Sequence, residues 1–105
     1  MATSVIGQGI VIEGEVSSDE EVIVQGVIRG KLLCQDAVII EAGATVEANV
    51  VGASVVVAGS ITGDVTASDR VDLQAGAKLV GDVKAARLTI AEGASFKGNV
   101  DMDMG

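Results

Sequence analysis

The sequence predicts an all-β fold, namely a single-stranded parallel β-helix (solenoid) that is right-handed and triangular and has about six coils. Three observations carry this prediction. A short phrase recurs about every 17 residues, a pair of apolar residues at spacing two follows each phrase, and the composition almost lacks aromatic residues. Self-similarity at a fixed period is typical of solenoids, in which each repeat packs only on its neighbours.

The recurring phrase has an apolar residue at each end and a small residue, usually glycine, in the middle. Its copies occupy residues 12–16, 28–32, 46–50, 61–65, 79–83 and 96–100. In this phrase the two apolar ends are predicted to point into the solenoid. The central small residue lets the wall bend where a side chain would crowd the interior.

The second apolar pair follows a short polar turn. Spacing two is the periodicity of a strand, so both side chains of a pair lie on one face. Strands of three to five residues, three per coil, would hydrogen-bond in parallel to their equivalents in the next coil, about 4.8 Å away. The pairs are Val22/Val24, Val38/Ile40, Val55/Val57, Val71/Leu73 and Leu88/Ile90.

A glycine marks the corner after each pair. Glycine suits corners because it adopts positive φ and permits close backbone approach. Coil length varies because some corners add a small inward residue such as Ala44 or Ala77. Left-handed hexapeptide helices keep a stricter count, and parallel crossovers are overwhelmingly right-handed, so the irregular corners favour the right-handed form. The corner glycines are Gly26, Gly43, Gly59, Gly76 and Gly93, and Gly9 holds the same place before the first full phrase.

Stacking these coils predicts three inward files of apolar side chains. Cys34 is predicted to point inward beside Leu32 as a small apolar filler. The first file is Ile12, Ile28, Val46, Ile61, Leu79 and Phe96; the second is Val16, Leu32, Val50, Val65, Val83 and Val100; the third is Val22, Val38, Val55, Val71 and Leu88.

Composition supports a narrow β-branched tube. Apolar residues make up 49% of the 105 residues, Phe96 is the sole aromatic residue, and Trp, Tyr, His and Pro are absent. A globular core of this size normally uses several aromatic side chains to fill volume. The absence of Pro favours continuous ladders, because Pro removes a ladder donor.

Charge and residue types argue against several classes of function. A formal net charge of −8 disfavours nucleic acid and anionic lipid as partners. Without His there is no default general base near neutral pH, so an enzyme is not expected. Cys34 has no neighbouring His, and the glycines open no helix that could cradle a nucleotide phosphate. We therefore predict no catalytic residues, no metal, no cofactor and no nucleotide, and the lack of a signal peptide or long apolar run predicts a cytoplasmic protein.

The pattern resembles that of the bactofilins, bacterial cytoskeletal proteins. The resemblance rests on the opening residues 5–14, on the repeated apolar-x-Gly-x-apolar phrases and on the Gly-Ala-x-apolar-x-Gly corners, from about Ser4 to Asp101. It implies one β-helix domain over residues 1–105 with very short tails. It also implies non-polar filaments that form without nucleotide, and a scaffold at the inner face of the membrane in cell shape or in placing cell-wall enzymes and other proteins. Residues 1–4 are neither basic nor strongly apolar, so direct membrane attachment is not expected.

The two ends of such a solenoid are the predicted polymerisation interface. Unpaired sheet edges are association templates, and no polar capping repeat is evident here. Head-to-tail stacking would give a polar filament, whereas alternating N-to-N and C-to-C contacts would give a non-polar one. The residues alone leave both open, and the resemblance favours the second. The predicted interface residues are Val5, Ile6, Ile10 and Ile12 at one end and Phe96, Val100 and Met102 at the other.

Two alternatives stand beside this interpretation. Phe96 could anchor the contact between C-terminal ends, or it could only fill the last coil. The whole protein could instead be a monomeric binding module that uses one flat outer face. The outward positions hold Glu, Arg, Thr, Lys and Asp in no regular order, which weakens the second alternative.

Overall fold

The computed structural model describes residues 3–102, which form parallel strands joined by turns and contain no helix. The predicted all-β solenoid of about six stacked coils is confirmed. The strands are β1 (Thr3–Ile6), β2 (Val11–Ser18), β3 (Glu21–Val24), β4 (Val27–Cys34), β5 (Ala37–Ile40), β6 (Thr45–Val57), β7 (Ser60–Thr62), β8 (Val65–Leu73), β9 (Lys78–Val80), β10 (Val83–Ala85), β11 (Arg87–Ile90), β12 (Ser95–Lys97) and β13 (Val100–Met102).

The strands stack into three walls. Wall A holds the first residues of β2, β4 and β6, followed by β7, β9 and β12. β6 is long enough to run through all three walls. Wall B holds the continuations of β2, β4 and β6, then the start of β8, β10 and β13. Wall C holds β1, β3, β5, the ends of β6 and β8, and β11. Every pairing between neighbouring coils is parallel, so each coil repeats the path of the one before it.

The predicted files of inward side chains are confirmed by the register. In wall A, Ile28 pairs with Ile12 on one side and Val46 on the other, and the file continues to Phe96 opposite Leu79. The files of walls B and C likewise keep every predicted member. Cys34 is buried in the same core, as predicted, and none of the buried described residues is polar or charged. Each large apolar side chain fully buried here contributes roughly 1.5–3 kcal/mol.

Strand length departs from the expected three to five residues. β2 and β4 have eight residues each, β8 has nine and β6 has 13. The other nine strands have three or four residues, as predicted. The prediction was wrong for these four because the chain passes from one wall to the next without losing its ladder. In β2, β4 and β6, for example, Gly14 pairs with Gly30 and Gly30 with Ala48. In β6 a register shift between Gly52 and Ser54 then carries the strand from wall B into wall C.

The long corners are tight turns that require glycine. In one of them the N–H of Ala44 donates to the carbonyl of Glu41 at 3.0 Å, and Gly43 has φ +90°. A positive φ at the third position of a β-turn is the type II conformation, which glycine adopts without steric cost. The same turn recurs at residues 74–77 and 91–94.

Candidate polymerisation interface

Each end of the rod is a step rather than a flat rim. Within residues 3–102, five strands have a hydrogen-bonded neighbour on one side only: β1 and β2 at the N-terminal end, and β11, β12 and β13 at the C-terminal end. β1 stands one strand beyond β2, whereas β12 and β13 stand one strand beyond β11. Both ends therefore present backbone donors and acceptors that a further strand could pair with.

At the N-terminal end, three of the four predicted residues surround the opening. Ile6 continues the wall C interior above Val24 and is buried, and Ile12 is half-buried above Ile28. Ile10 occupies the corner position that Ala44 holds within the rod, but it is 47% exposed because no coil covers it. Val5 is different. It alternates with Ile6 and lies on the outer surface of wall C, so the structure does not bring it to the opening.

At the C-terminal end, Phe96 and Val100 finish the files of walls A and B. Phe96 is half-buried on Leu79, and Val100 is 40% exposed above the buried Val83. The backbone of Met102 pairs with Ala85, and the Met102 side chain lies outside the described side chains. Phe96 and Val100 thus lie over the last covered layer of the core.

The structure adds three end residues that the sequence analysis did not assign to the interface. Ile90 is an inward residue above the buried Leu73, yet it is 48% exposed. Leu88, beside it, and Val16, at the other end, are half-buried. The sequence held a signal for Leu88 and Ile90, because the phrase at residues 96–100 supplies walls A and B only and leaves wall C without a strand after β11.

Ionic contacts on the outer walls are weak. The Arg29 guanidinium lies 3.8 Å from a carboxylate oxygen of Glu13 and 3.1 Å from one of Glu47, and all three side chains are more than half exposed. Such pairs contribute about 0–1 kcal/mol each. In the described part of the chain, no group of three or more His, Cys, Asp or Glu side chains is placed to hold a metal ion.

Comparison with known proteins finds similarity to one protein family. The profile of the family Bactofilin, described as polymer-forming cytoskeletal, matches residues 4–101. The chain is 49% identical over 104 residues to bactofilin BacO of Myxococcus xanthus (strain DK1622), covering 99% of this chain and 82% of that protein. It is 37% identical over 99 residues to bactofilin BacP of the same strain, covering 94% of this chain and 41% of BacP.

Two solved structures share the fold. A cryo-EM reconstruction of Thermus thermophilus bactofilin double helical filaments matches with a TM-score of 0.90 at 26% identity, over 95% of this chain and 99% of the other. The solid-state NMR structure of the cytoskeletal bactofilin BacA matches with a TM-score of 0.85 at 26% identity, over 93% of each chain.

The solenoid, its open ends and the matched profile define the class of the protein: a polymer-forming cytoskeletal protein. Within that class, the chain belongs to the bactofilin family.

Proposed function

We propose that this protein is a structural subunit that polymerises end to end into non-polar filaments without nucleotide. The observation that carries the proposal is the pair of stepped ends, where five strands with one neighbour each surround half-buried or exposed members of the inward files. A few large apolar side chains contribute roughly 1.5–3 kcal/mol each when covered. Together with new ladder hydrogen bonds, they can offset an association cost of about 4–15 kcal/mol.

In the proposed contact between C-terminal ends, Phe96 is the anchor and Val100 and Ile90 pack around it. Aromatic side chains bury the largest apolar area and dominate contacts of this kind. At the N-terminal end, Ile10 and Ile12 form the corresponding apolar surface, next to the buried Ile6. Alternation of the two contacts gives each filament two-fold axes and no overall direction.

Family membership supports the wider role. We propose a scaffold, without enzymatic activity of its own, that acts in cell shape or in positioning cell-wall enzymes and other proteins at the inner face of the cytoplasmic membrane. No helix within residues 3–102 is long and apolar enough to cross a membrane.

Nucleotide independence leads to the first prediction. Purified protein freed of nucleotide and of divalent cations is expected to sediment as polymer to the same extent as protein supplied with ATP or GTP and Mg²⁺. The reason is that assembly uses only apolar contacts and backbone hydrogen bonds. A polymerisation rate or a sedimented fraction that rises with nucleotide would contradict this mechanism.

One observation favours the alternative order, head-to-tail stacking. At the N-terminal end, β1 extends wall C one strand beyond β2. At the C-terminal end, wall C stops at β11, one strand short of walls A and B. The two ends are therefore complementary in shape. The two orders differ in which rims meet. In a non-polar filament, the end strands of one subunit face the same end strands of the next subunit. In a polar filament, β12 and β13 of one subunit face β2 of the next.

Cysteine cross-linking separates the two orders, which is the second prediction. In a Cys34→Ala background, Asn99→Cys places a thiol beside the C-terminal rim and Glu13→Cys places one near the N-terminal rim. With a short bis-maleimide, we expect covalent dimers from each variant alone. Dimers that form only when the two variants are mixed would contradict the non-polar order and support head-to-tail stacking.

A further inference from the structure

Wall C ends one strand lower than walls A and B at the C-terminal end of the rod. β12 and β13 stand one strand beyond β11, and among the described strands β11 pairs with β8 only. An added strand beside β11, matching its four residues, would be about 13 Å long and lie about 4.8 Å away. We call this open strand position the wall C slot.

The backbone of β11 is oriented to bind a strand in this slot. In the preceding coils, the carbonyls of Ile40, Val57 and Leu73 each accept a hydrogen bond from an N–H of the next coil. Ile90 holds the same register position, opposite Leu73, so its carbonyl points into the slot. Alternation along the strand gives the N–H of Ile90 and both backbone groups of Leu88 the same direction. A parallel strand would therefore pair with two N–H and two C=O groups of β11.

The inward side chains of β11 lack the cover that their equivalents have within the rod. Leu88 lies above Val71 and Ile90 above Leu73, and both of these lower residues are fully buried. Leu88 itself is only half-buried, and Ile90 is 48% exposed. Because alternate residues of a strand share one face, two aliphatic side chains at spacing two on an added strand would cover both.

Charge on the outer side of β11 favours an acidic residue in the slot. Arg87 is exposed and lies directly opposite Arg70 in the ladder. The Nε of Arg70 lies 3.6 Å from a carboxylate oxygen of Asp72, which is opposite Thr89. The described side chains form no ion pair with Arg87. Like charges directly opposite destabilise a ladder and unlike charges stabilise it, so a carboxylate next to Arg87 in the added strand would be favourable.

We propose that the wall C slot binds an extended segment of a partner protein, parallel to β11, with an acidic residue first and aliphatic residues at its second and fourth positions. In strand addition of this kind, main-chain hydrogen bonds give affinity and alternate side chains give specificity. The open strand β2 at the other end carries exposed Glu13 and Glu15, which would repel the acidic residue.

This inference rests on the proposed non-polar order of subunits. Two facing C-terminal ends meet at their highest strands, β12 and β13, and each wall C is one strand short. One strand position per subunit therefore remains beside β11 for any rotation between the two ends. In head-to-tail stacking, by contrast, β1 of the next subunit would fill the slot. A second copy is thus the occupant only in the alternative order.

Peptide binding to separated subunits tests the chemistry of the slot. The probe is the fluorescein-labelled peptide Gly-Asp-Val-Thr-Ile-Thr-Gly, and its binding to full-length Phe96→Arg protein is measured by fluorescence anisotropy. A second peptide has Lys in place of Asp, and a third has Ser at both aliphatic positions. Arg87→Glu is the test variant. Lys78→Glu is the matched control, because Lys78 is exposed on wall A between Ser60 and Ser95.

We expect the acidic peptide to bind the Phe96→Arg protein and its Lys78→Glu derivative equally. The peptide with two Ser residues should bind at least about tenfold more weakly. Arg87→Glu should weaken binding of the acidic peptide about fivefold and reverse the preference, so that the Lys peptide binds better. No saturable binding of the acidic peptide, or an unchanged preference in Arg87→Glu, would overturn the proposal.

Co-sedimentation with filaments of the unmodified protein tests whether the slot stays open after assembly. At saturation we expect one acidic peptide per subunit, and fewer for Arg87→Glu filaments at the same peptide concentration. A peptide that binds separated subunits but not filaments would overturn a partner as the occupant, in favour of β1 of a second copy. A complete absence of filaments would refute the proposed function instead, and the anisotropy measurement would still decide whether the slot binds the peptide.

Discussion

Replacing Phe96 with arginine is expected to abolish filament formation while leaving the subunit folded. In the proposed contact, this substitution removes the largest apolar side chain and puts a charge into a closing interface. The lost burial amounts to roughly 1.5–3 kcal/mol, and an unpaired buried charge adds several kcal/mol. The critical concentration for assembly should therefore rise at least about 100-fold. The subunit itself tolerates the change because Phe96 lies on the open rim, half-buried above Leu79.

Sedimentation across a concentration series measures this effect, and circular dichroism confirms the fold. Ile90→Arg is a second variant of the same end, where Ile90 is already half exposed in the free subunit. Val51→Arg is the matched control, because Val51 is exposed on the outer surface of wall B at mid-rod. A folded Phe96→Arg protein that forms normal filaments at the usual concentration would assign Phe96 the lesser role of filling the last coil.

Replacing Gly81 with alanine is expected to cause a large loss of stability for so small a substitution. Gly81 has φ +133°, a conformation that side chains with a Cβ rarely adopt, and an added Cβ would overlap the carbonyl oxygen of Gly63 in the preceding coil. Since that neighbour is backbone, relief requires the coils to separate and breaks the ladder. Backbone strain and overpacking together should lower the free energy of unfolding by about 2–5 kcal/mol.

Gly43→Ala is the control for this prediction. Gly43 also has a positive φ, +90°, but an added Cβ there meets nothing within 4 Å. Its cost is therefore conformational strain alone, about 1–2 kcal/mol. Urea unfolding should be measured in a Phe96→Arg background and at one fixed protein concentration, because association through either end would otherwise change the stability of the folded state by mass action. Equal destabilisation by the two substitutions would show that close coil stacking at Gly81 is not required.

The interior of the rod was predictable because its pattern is redundant. The files that begin at Ile12, Val16 and Val22 repeat in every coil, so an error in one coil is corrected by its neighbours. A parallel ladder then sets the register, since a slip of one residue would turn each inward side chain outward. Cys34 followed from the same logic, as a small apolar side chain two positions after Leu32.

The ends and outer walls were less predictable because no repetition constrains them. Val5 was expected at the N-terminal opening, but it follows the alternation of β1 and points outward while Ile6 points inward. Ile90 was recognised as inward, but its exposure depends on where the last coil stops, which is a property of the whole stack. The outward file of wall C, formed by Val5, Ile23, Ile39 and Val56, was not predicted for a similar reason. Its members are separated by 16 to 18 residues in the chain, and they become neighbours only through stacking.

Electron microscopy of the unmodified, nucleotide-free protein at two concentrations is the most direct test of end-to-end assembly. We expect long thin filaments that become more abundant at the higher concentration. Fibre diffraction from them should show a meridional spacing of about 4.8 Å, because the strands lie across the filament axis. Compact particles of constant size at both concentrations would contradict end-to-end assembly and would favour a monomeric module.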